Sequence, residues 1–396
     1  MTLPPAFPAI ETDASVNVLH TITGLNVGGA EYMLTRFLEQ LDRAAFSSTV
    51  LSLLPPGLLQ PRVLRTRADV VSVDMDRRPR ARDAVRLARL VGRSRPDLIH
   101  GWMYHGNVAA TLGSLLGFNI VPIVWSIHHT IPDIENENSL TRRLIAISAR
   151  LSSRVAAISY CSRVAADDHE RLGFDPARRV VIPNGIDCAE FQPRPDGPRH
   201  VRQIFGIPAD RLIVGHVARN HPMKNPASIV RAIKRLVDQG HDIQGIFIGD
   251  GHDEGPVRHV ARELGIDARI TTPGIRSDVA DLLPGFDVFA LSSSWGEAFS
   301  LAVGEAMACG VPAVVTSLGD CGWLVGPTGA VVPPGDQDAF DAGLERLVAM
   351  SDEDRRALGA KARQRVIENF SLAQYVSRHL DLYAGALAGR RSTASH

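Results

Sequence analysis

Two glutamates eight positions apart, Glu297 and Glu305, stand in the stretch "SSSWGEAFSLAVGEAMACGVPAVV", which is otherwise small and apolar. Carboxylates are seldom enclosed in such surroundings without partners. An ionised glutamate is an acceptor with two oxygens, so Glu305 suits the two hydroxyls of a ribose and Glu297 a single sugar hydroxyl. Between them lie Phe299, Ser300 and Leu301, where a helix is expected to begin. Backbone N–H groups at a helix N-terminus suit a phosphate. The plain alternative is that both acids are solvated, or that Glu297 only supports the helix dipole. A second stretch, "VGHVARNHPMKNP", places Arg219 after a strand and Lys224 five residues later, before a helix. A guanidinium and an ammonium so placed can clamp a diphosphate. Alone they are as well read as surface charges. Placed in one domain, the two stretches form a constellation for a nucleoside diphosphate.

These residues need a scaffold, and the chain supplies an alternation of apolar runs and amphipathic stretches. "VNVLHTI", "STVLSLL", "DVVSVDM", "DLIHGW", "IVPIVWSI" and "VAAISY" read as strands, with "GGAEYMLTRFLEQL", "RDAVRLARLVGRSRP", "GNVAATLGSLLG" and "LTRRLIAISARLSSR" as helices between them. The alternation restarts after "FQPRPDGPRHVRQIFGIPADR", a Pro-, Gly- and Arg-rich stretch that marks a linker. Strands that alternate with helices imply parallel sheets. The expected class is therefore α/β, with two doubly wound Rossmann-like domains at 1–192 and 193–371 and a helical tail at 372–396. Ligands of such sheets bind beyond the carboxyl ends of the strands, which is where the residues above fall.

Bulk properties exclude several functions. The 396 residues exceed one ordinary core, and 45% apolar with 22% charged residues is the balance of a soluble globular chain. Lys+Arg and Asp+Glu stand at 43 each, so no net field points to nucleic acid. Cys161, Cys188, Cys309 and Cys321 show neither metal-site spacing nor a disulfide framework, which fits a reducing cytoplasm. The N-terminus "MTLPPAFPAIETDAS" lacks the pattern of a signal peptide. Uncharged residues run from Gly106 to Ile127, yet Gly, Asn and Pro interrupt them, so a helix followed by a buried strand is expected rather than a membrane span.

In order along the chain come "GLNVGGAEYML", "PDLIHGW", "SIHHT", "VIPNGID", "ARNHPMKNP", "IGDG", "SDVADLLPGFDVFALSS", the E-x7-E stretch, "MACGVPAVVT", "VGPTGAVVPPGD" and "FSLAQYV". As a set they resemble the retaining, metal-independent glycosyltransferases of family 4 with the GT-B fold, of the bacterial surface-polysaccharide type. The resemblance implies two Rossmann-like domains facing across a cleft, with the C-terminal helix crossing back to the first. It implies a hexosyltransferase that moves a sugar from a UDP- or GDP-sugar to an acceptor hydroxyl, with the anomeric configuration retained and no cofactor or metal. Arg219, Lys224 and Arg276 would hold the donor, as would Phe299, Ser300, Leu301 and Glu305. Gly28 and Gly29 would let backbone approach it, though a lone glycine pair also simply starts a helix. Glu297 and a histidine of "SIHHT" would face the sugar. The strand-His-Thr pattern favours His129, with His128 one residue away. A loop-histidine role is the alternative.

Other features stay open. After "GEAF" the family often has Pro-Asn, whereas Ser300 and Leu301 follow here, which bears on donor preference. Asp320 in "SLGDCGWLVG" is a further sugar contact by resemblance. His105 and Asn107 sit where an acceptor would bind, with a helix start capped by Asn107 as the equal alternative. Asp74 and Asp76 in "VDMD" imitate a metal motif but read as a solvated strand end. Eight arginines lie between Arg77 and Arg95, a run suited to anionic lipid or to a solvated helix face. The acceptor would be a saccharide or a lipid-linked saccharide, and the expected location is cytoplasmic, either free or peripheral on the inner face of the membrane. A nicotinamide oxidoreductase is disfavoured because "GLNVGGAE" lacks the G-x-G-x-x-G spacing. A GT-B epimerase, a phosphorylase, or a non-catalytic sugar-nucleotide-binding subunit of a polysaccharide assembly complex are the other readings.

Overall fold

The computed structural model describes residues 15–26, 28–55, 57–76 and 80–393. It divides into two compact units, one running to Gly185 and resuming at Leu372, the other Ile186–Ser371. The first holds β1 (Val16–Ile22), α1 (Gly29–Gln40), β2 (Phe46–Ser52), α2 (Gln60–Arg65), β3 (Asp69–Ser72), α3 (Ala81–Ser94), β4 (Leu98–Trp102), α4 (Met103–Leu116), β5 (Ile123–Ile127), α5 (Ser139–Leu151), β6 (Ala157–Tyr160), α6 (Arg163–Arg171) and β7 (Arg179–Val181). The second holds α7 (Gly197–Phe205), β8 (Leu212–Val217), α8 (Pro226–Asp238), β9 (Ile243–Ile248), α9 (Pro256–Glu263), β10 (Ile270–Gly274), α10 (Val279–Leu282), β11 (Val288–Leu291), α11 (Leu301–Ala308), β12 (Ala313–Thr316), α12 (Cys321–Val325), β13 (Ala330–Val332), α13 (Gln337–Val348) and α14 (Asp352–Phe370). The last helix, α15 (Leu372–Thr393), belongs to the first unit.

Each unit is a doubly wound parallel sheet. The strand orders are β3-β2-β1-β4-β5-β6-β7 and β10-β9-β8-β11-β12-β13. β4 and β5 are buried along their whole length, as strands covered on both faces must be. In the second unit the side-chain alternation builds two cores. Ile213, Ile246, Phe289 and Val315 face one, and Val214, Phe247, Val288 and Val314 the other. In the first unit α15 folds onto α1. Tyr375 and Tyr383 stand edge-on to Phe37 at 6.3 and 5.9 Å, and the Tyr383 hydroxyl meets His100 Nδ1 at 2.7 Å.

Some expectations change. The Pro/Gly-rich stretch after Phe191 is not simply a linker, because half of it is α7, with Pro198 at the helix start and Val201 fully buried. Proline here pre-sets the helical φ where no N–H is needed. The units part instead between Gly185 and Ile186. Ile186 N–H donates to the Phe370 carbonyl at 2.8 Å and Ile186 bridges Ser371, so the chain enters and leaves the second unit side by side. The strand expected over "DVVSVDM" stops at Ser72. Among the described residues no helix is long and apolar enough to cross a membrane. Arg77 and Arg78, and the N-terminal stretch before Ser15, lie outside the described residues.

Candidate active site

The order of the second sheet reverses between β8 and β11, which pair directly. Loops after strands at such a point line the ligand crevice of this architecture. The loop after β8 carries Arg219 and Lys224, and the loop after β11 carries Glu297. Lys224 Nζ meets Glu297 Oε2 at 2.5 Å across 73 residues of sequence. The two side chains are only 16% and 8% exposed, so this is a largely enclosed ion pair. Ser293 Oγ donates to the same carboxylate oxygen at 2.9 Å.

The two loops are braced to each other and to the sheet. Ser294 N–H donates to the Met223 carbonyl at 2.7 Å, and Ser292 Oγ to that of Asn225 at 2.7 Å. Thr316 Oγ1, at the end of β12, donates to the Ser293 carbonyl at 2.7 Å. Gly319 has φ +53, and a Cβ there would lie 1.9 Å from the Glu297 carbonyl oxygen. Only glycine permits that approach. Next to it, Asp320 N–H donates to the Ala298 carbonyl at 2.9 Å, so Asp320 supports the glutamate loop through its backbone.

The remaining residues of this unit take distinct places. Arg219 is exposed and forms no ion pair with a described residue. Glu305 lies half-buried on α11, one turn past the start of the helix that follows the Glu297 loop. Ser300 is the N-cap residue of α11 and makes no side-chain cap. The Cys321 thiol is buried, and burial pushes its pKa well up. Leu301 opens the helix. Phe299 contributes backbone only, since its ring is buried against Phe370 at 5.7 Å. Arg276 makes a two-pronged pair with Asp278, at 2.8 and 2.5 Å, rather than pairing with Glu297.

In the first unit, Gly28 is the extended N-cap residue of α1, with the Glu31 carboxylate packed where a Cβ would be. Gly29 faces open space. The two histidines after β5 differ. His128 stacks on Trp102 at 5.6 Å with an interplanar angle of 7° and hydrogen-bonds Asn184 Oδ1 through Nδ1 at 2.9 Å. Burial lowers its pKa to about 4, so it is neutral. His129 Nε2 meets Glu137 Oε1 at 2.8 Å. That carboxylate accepts, so Nε2 is the donor in this contact. His105 is half-buried near the start of α4. Asn107 does not cap that helix: Trp102 holds the cap position, and Asn107 is fully buried beneath Gly101, its amide enclosed.

Sequence reasoning picked out both loops but not what holds them. Ser293, Thr316 and Glu137 were missed. Gly319, inside "SLGDCG", is the one missed residue whose type was a signal.

The comparisons with known proteins agree with this layout. Residues 27–190 match the model of Glycosyltransferase Family 4, and residues 199–365 that of Glycosyl transferases group 1. The chain belongs to the GT-B glycosyltransferases. It is 27% identical over 219 residues to the UDP-Gal:alpha-D-GlcNAc-diphosphoundecaprenol alpha-1,3-galactosyltransferase of Escherichia coli, covering 54% of this chain and 56% of that protein. It is 32% identical over 221 residues to the D-inositol 3-phosphate glycosyltransferase of Mycobacterium tuberculosis, covering 54% and 45%. The chain thus spans about half the length of the curated relatives it matches. Among solved structures, Anabaena HepE in complex with UDP superposes with a TM-score of 0.79 at 20% identity, over 93% of this chain and 99% of that one. This family member therefore shares its fold with a protein crystallised with UDP.

Proposed function

We propose that the chain transfers a sugar from a nucleoside diphosphate sugar to an acceptor hydroxyl, with retention of anomeric configuration and without a metal. The observation that carries this reading is the Lys224–Glu297 pair at the strand-order reversal, beside the start of α11. An ammonium has three donors. Lys224 can therefore keep Glu297 and still donate to a diphosphate. Arg219, exposed and without an ion-pair partner among the described residues, supplies the second cation. The N–H groups at the start of α11 add partial positive charge. Glu305, a helix turn further on, takes the ribose hydroxyls, and Arg276 flanks the donor. Glu297 positions the sugar, and His129, Gly28 and Gly29 are the first unit's candidates for a role in transfer.

The leaving group is the nucleoside diphosphate. As its bond to the anomeric carbon breaks, positive charge grows on the sugar and negative charge on the diphosphate. Lys224, Arg219 and the helix start stabilise the negative charge. The acceptor oxygen bonds the anomeric carbon from the face that the diphosphate leaves. Its proton passes to the departing phosphate oxygen, and this accounts for retention without an enzymic nucleophile. UDP is the favoured nucleotide, supported by the HepE complex, with GDP as the other candidate.

For the acceptor we favour a lipid-linked saccharide in polysaccharide or glycolipid synthesis at the inner face of the membrane. The name of the Escherichia coli relative points the same way. A physical feature supports it too. Phe118 and Ile120, just past α4, are 92% and 91% exposed. α3 packs beside α4 with Gly92 next to Gly117, so the exposed Arg89, Arg93 and Arg95 lie close to these apolar tips. Cationic and apolar groups side by side suit an anionic bilayer surface. The test of the function is transfer from a panel of UDP- and GDP-sugars. Slow donor hydrolysis and a product of retained configuration by NMR are expected. Absence of any hydrolysis or binding across the panel sinks the reading.

A further inference from the structure

The second unit holds a cavity of about 970 Å³ that is not at the donor loops. Phe286 and Asp287, just before β11, and Gly310 to Pro312, just before β12, line it. It therefore opens at the amino ends of the strands, whereas Lys224 and Glu297 follow the carboxyl ends. Its other walls are α7 and the first turns of α14.

The lining is cationic. Arg194, Arg199, Arg202, Arg355 and Arg356 face two acids, Asp287 and Asp352. Both acids are already used. Asp287 accepts from the Ile213 N–H at 2.8 Å and from Arg202 at 3.2 Å, and Asp352 pairs with Arg355. Arg194 pairs with Asp281. Two guanidiniums remain. Arg199 on α7 and Arg356 on α14 are exposed and form no hydrogen bond or ion pair with a described residue. Arg202 keeps its Nε buried with no acceptor. Arg199 also sits in the first turn of α7, where a cation opposes the helix dipole. An anion between the two walls partners Arg199 and Arg356 and offsets the cation at the start of α7. The apolar part of the wall is stiff, built from Pro195, Pro198, Pro284, Pro312 and Phe286. Stiff apolar walls with a few convergent charges are the usual make-up of a small-molecule site.

The geometry points to a second ligand site, separate from the donor site, for a small phosphorylated molecule whose phosphate or diphosphate is held by Arg199 and Arg356. Arginine's planar fork matches phosphate oxygens in pairs, which makes the anion's class specific. The assignment does not depend on the proposed reaction.

The test is calorimetric titration of the full chain with inorganic pyrophosphate. Pyrophosphate also suits the donor loops, so the titration is done on Lys224→Ala/Arg219→Ala protein, in which those loops are disarmed. Binding at millimolar or tighter affinity is expected. It should weaken at least tenfold when Arg199→Ser and Arg356→Ser are added, with the circular dichroism spectrum unchanged. Both arginines are exposed, so their loss does not threaten the fold. No binding to the disarmed protein overturns the proposal, and so does binding that the two added substitutions leave intact. If nucleotide binding in the wild type fails while Arg199-dependent binding persists, the donor assignment falls and this one stands.

Discussion

Lowering the pH from 7.5 to 5.5 should destabilise the first unit strongly. His20, His100, His169 and His379 are buried there to 1% exposure or less. Burial lowers the pKa of His20 and His379 to about 3 and that of His169 to about 4, and drives His100 well below its ordinary value. All four stay neutral in the folded chain while the unfolded chain takes up protons near pH 6.5. Their contribution is therefore complete above that pH and declines as the pH falls toward 3 to 4. Linkage gives about 1.4 kcal/mol for each histidine between pH 7.5 and 5.5, and roughly 5 kcal/mol for the four. That is comparable with the whole stability of many domains. In the same unit the half-buried Glu31 carboxyl, raised by burial, acts in the opposite sense. The assay is urea unfolding followed by tryptophan fluorescence, with Trp295→Phe and Trp323→Phe so that only Trp102 and Trp125 of the first unit report. The midpoint should fall by about 2 M urea at pH 5.5. A midpoint that moves by less than about 0.3 M refutes the buried-neutral reading of these histidines.

Three other outcomes are expected. Gly319→Ala pushes a methyl against the Glu297 carbonyl in a left-handed backbone, so donor affinity should drop at least tenfold, with about 2 kcal/mol lost in thermal denaturation. His129→Ala should lower kcat at nearly unchanged stability. His128→Ala, which takes a ring off Trp102, should instead cost about 1 to 2 kcal/mol of stability; the opposite pattern reassigns the two. Phe118→Ser/Ile120→Ser should reduce sedimentation with phosphatidylglycerol vesicles several-fold, and vesicles lacking anionic lipid should bind weakly in either case.

Much of this was legible in the sequence because parallel sheets leave a plain trace. Runs such as "LIVGHV" and "IQGIFI" carry one polar side chain each among apolar ones, since both faces are covered, and each ends where the chain turns toward a crevice. The motif loops were found for the same reason. What escaped was anything that depends on distant partners. Nothing in "NHPMKNP" says that Lys224 meets Glu297, because their approach is set by β8 lying beside β11. Asn107 looked like a cap because its type suits one, yet α4 begins four residues earlier, at Met103, and buries it. The Pro- and Arg-rich stretch at α7 has a linker's composition, and only the burial of Val201 against Gly285 reveals a packed helix.

The central claim is that the loops after β8 and β11 form one donor site. It is tested most directly by measuring UDP affinity and turnover at saturating donor for Lys224→Ala, Glu305→Ala and Glu297→Gln. The account predicts that the first two weaken UDP binding by tenfold or more, while Glu297→Gln keeps UDP affinity within a few-fold and loses most of kcat. Unchanged UDP affinity and turnover in both Lys224→Ala and Glu305→Ala would contradict it.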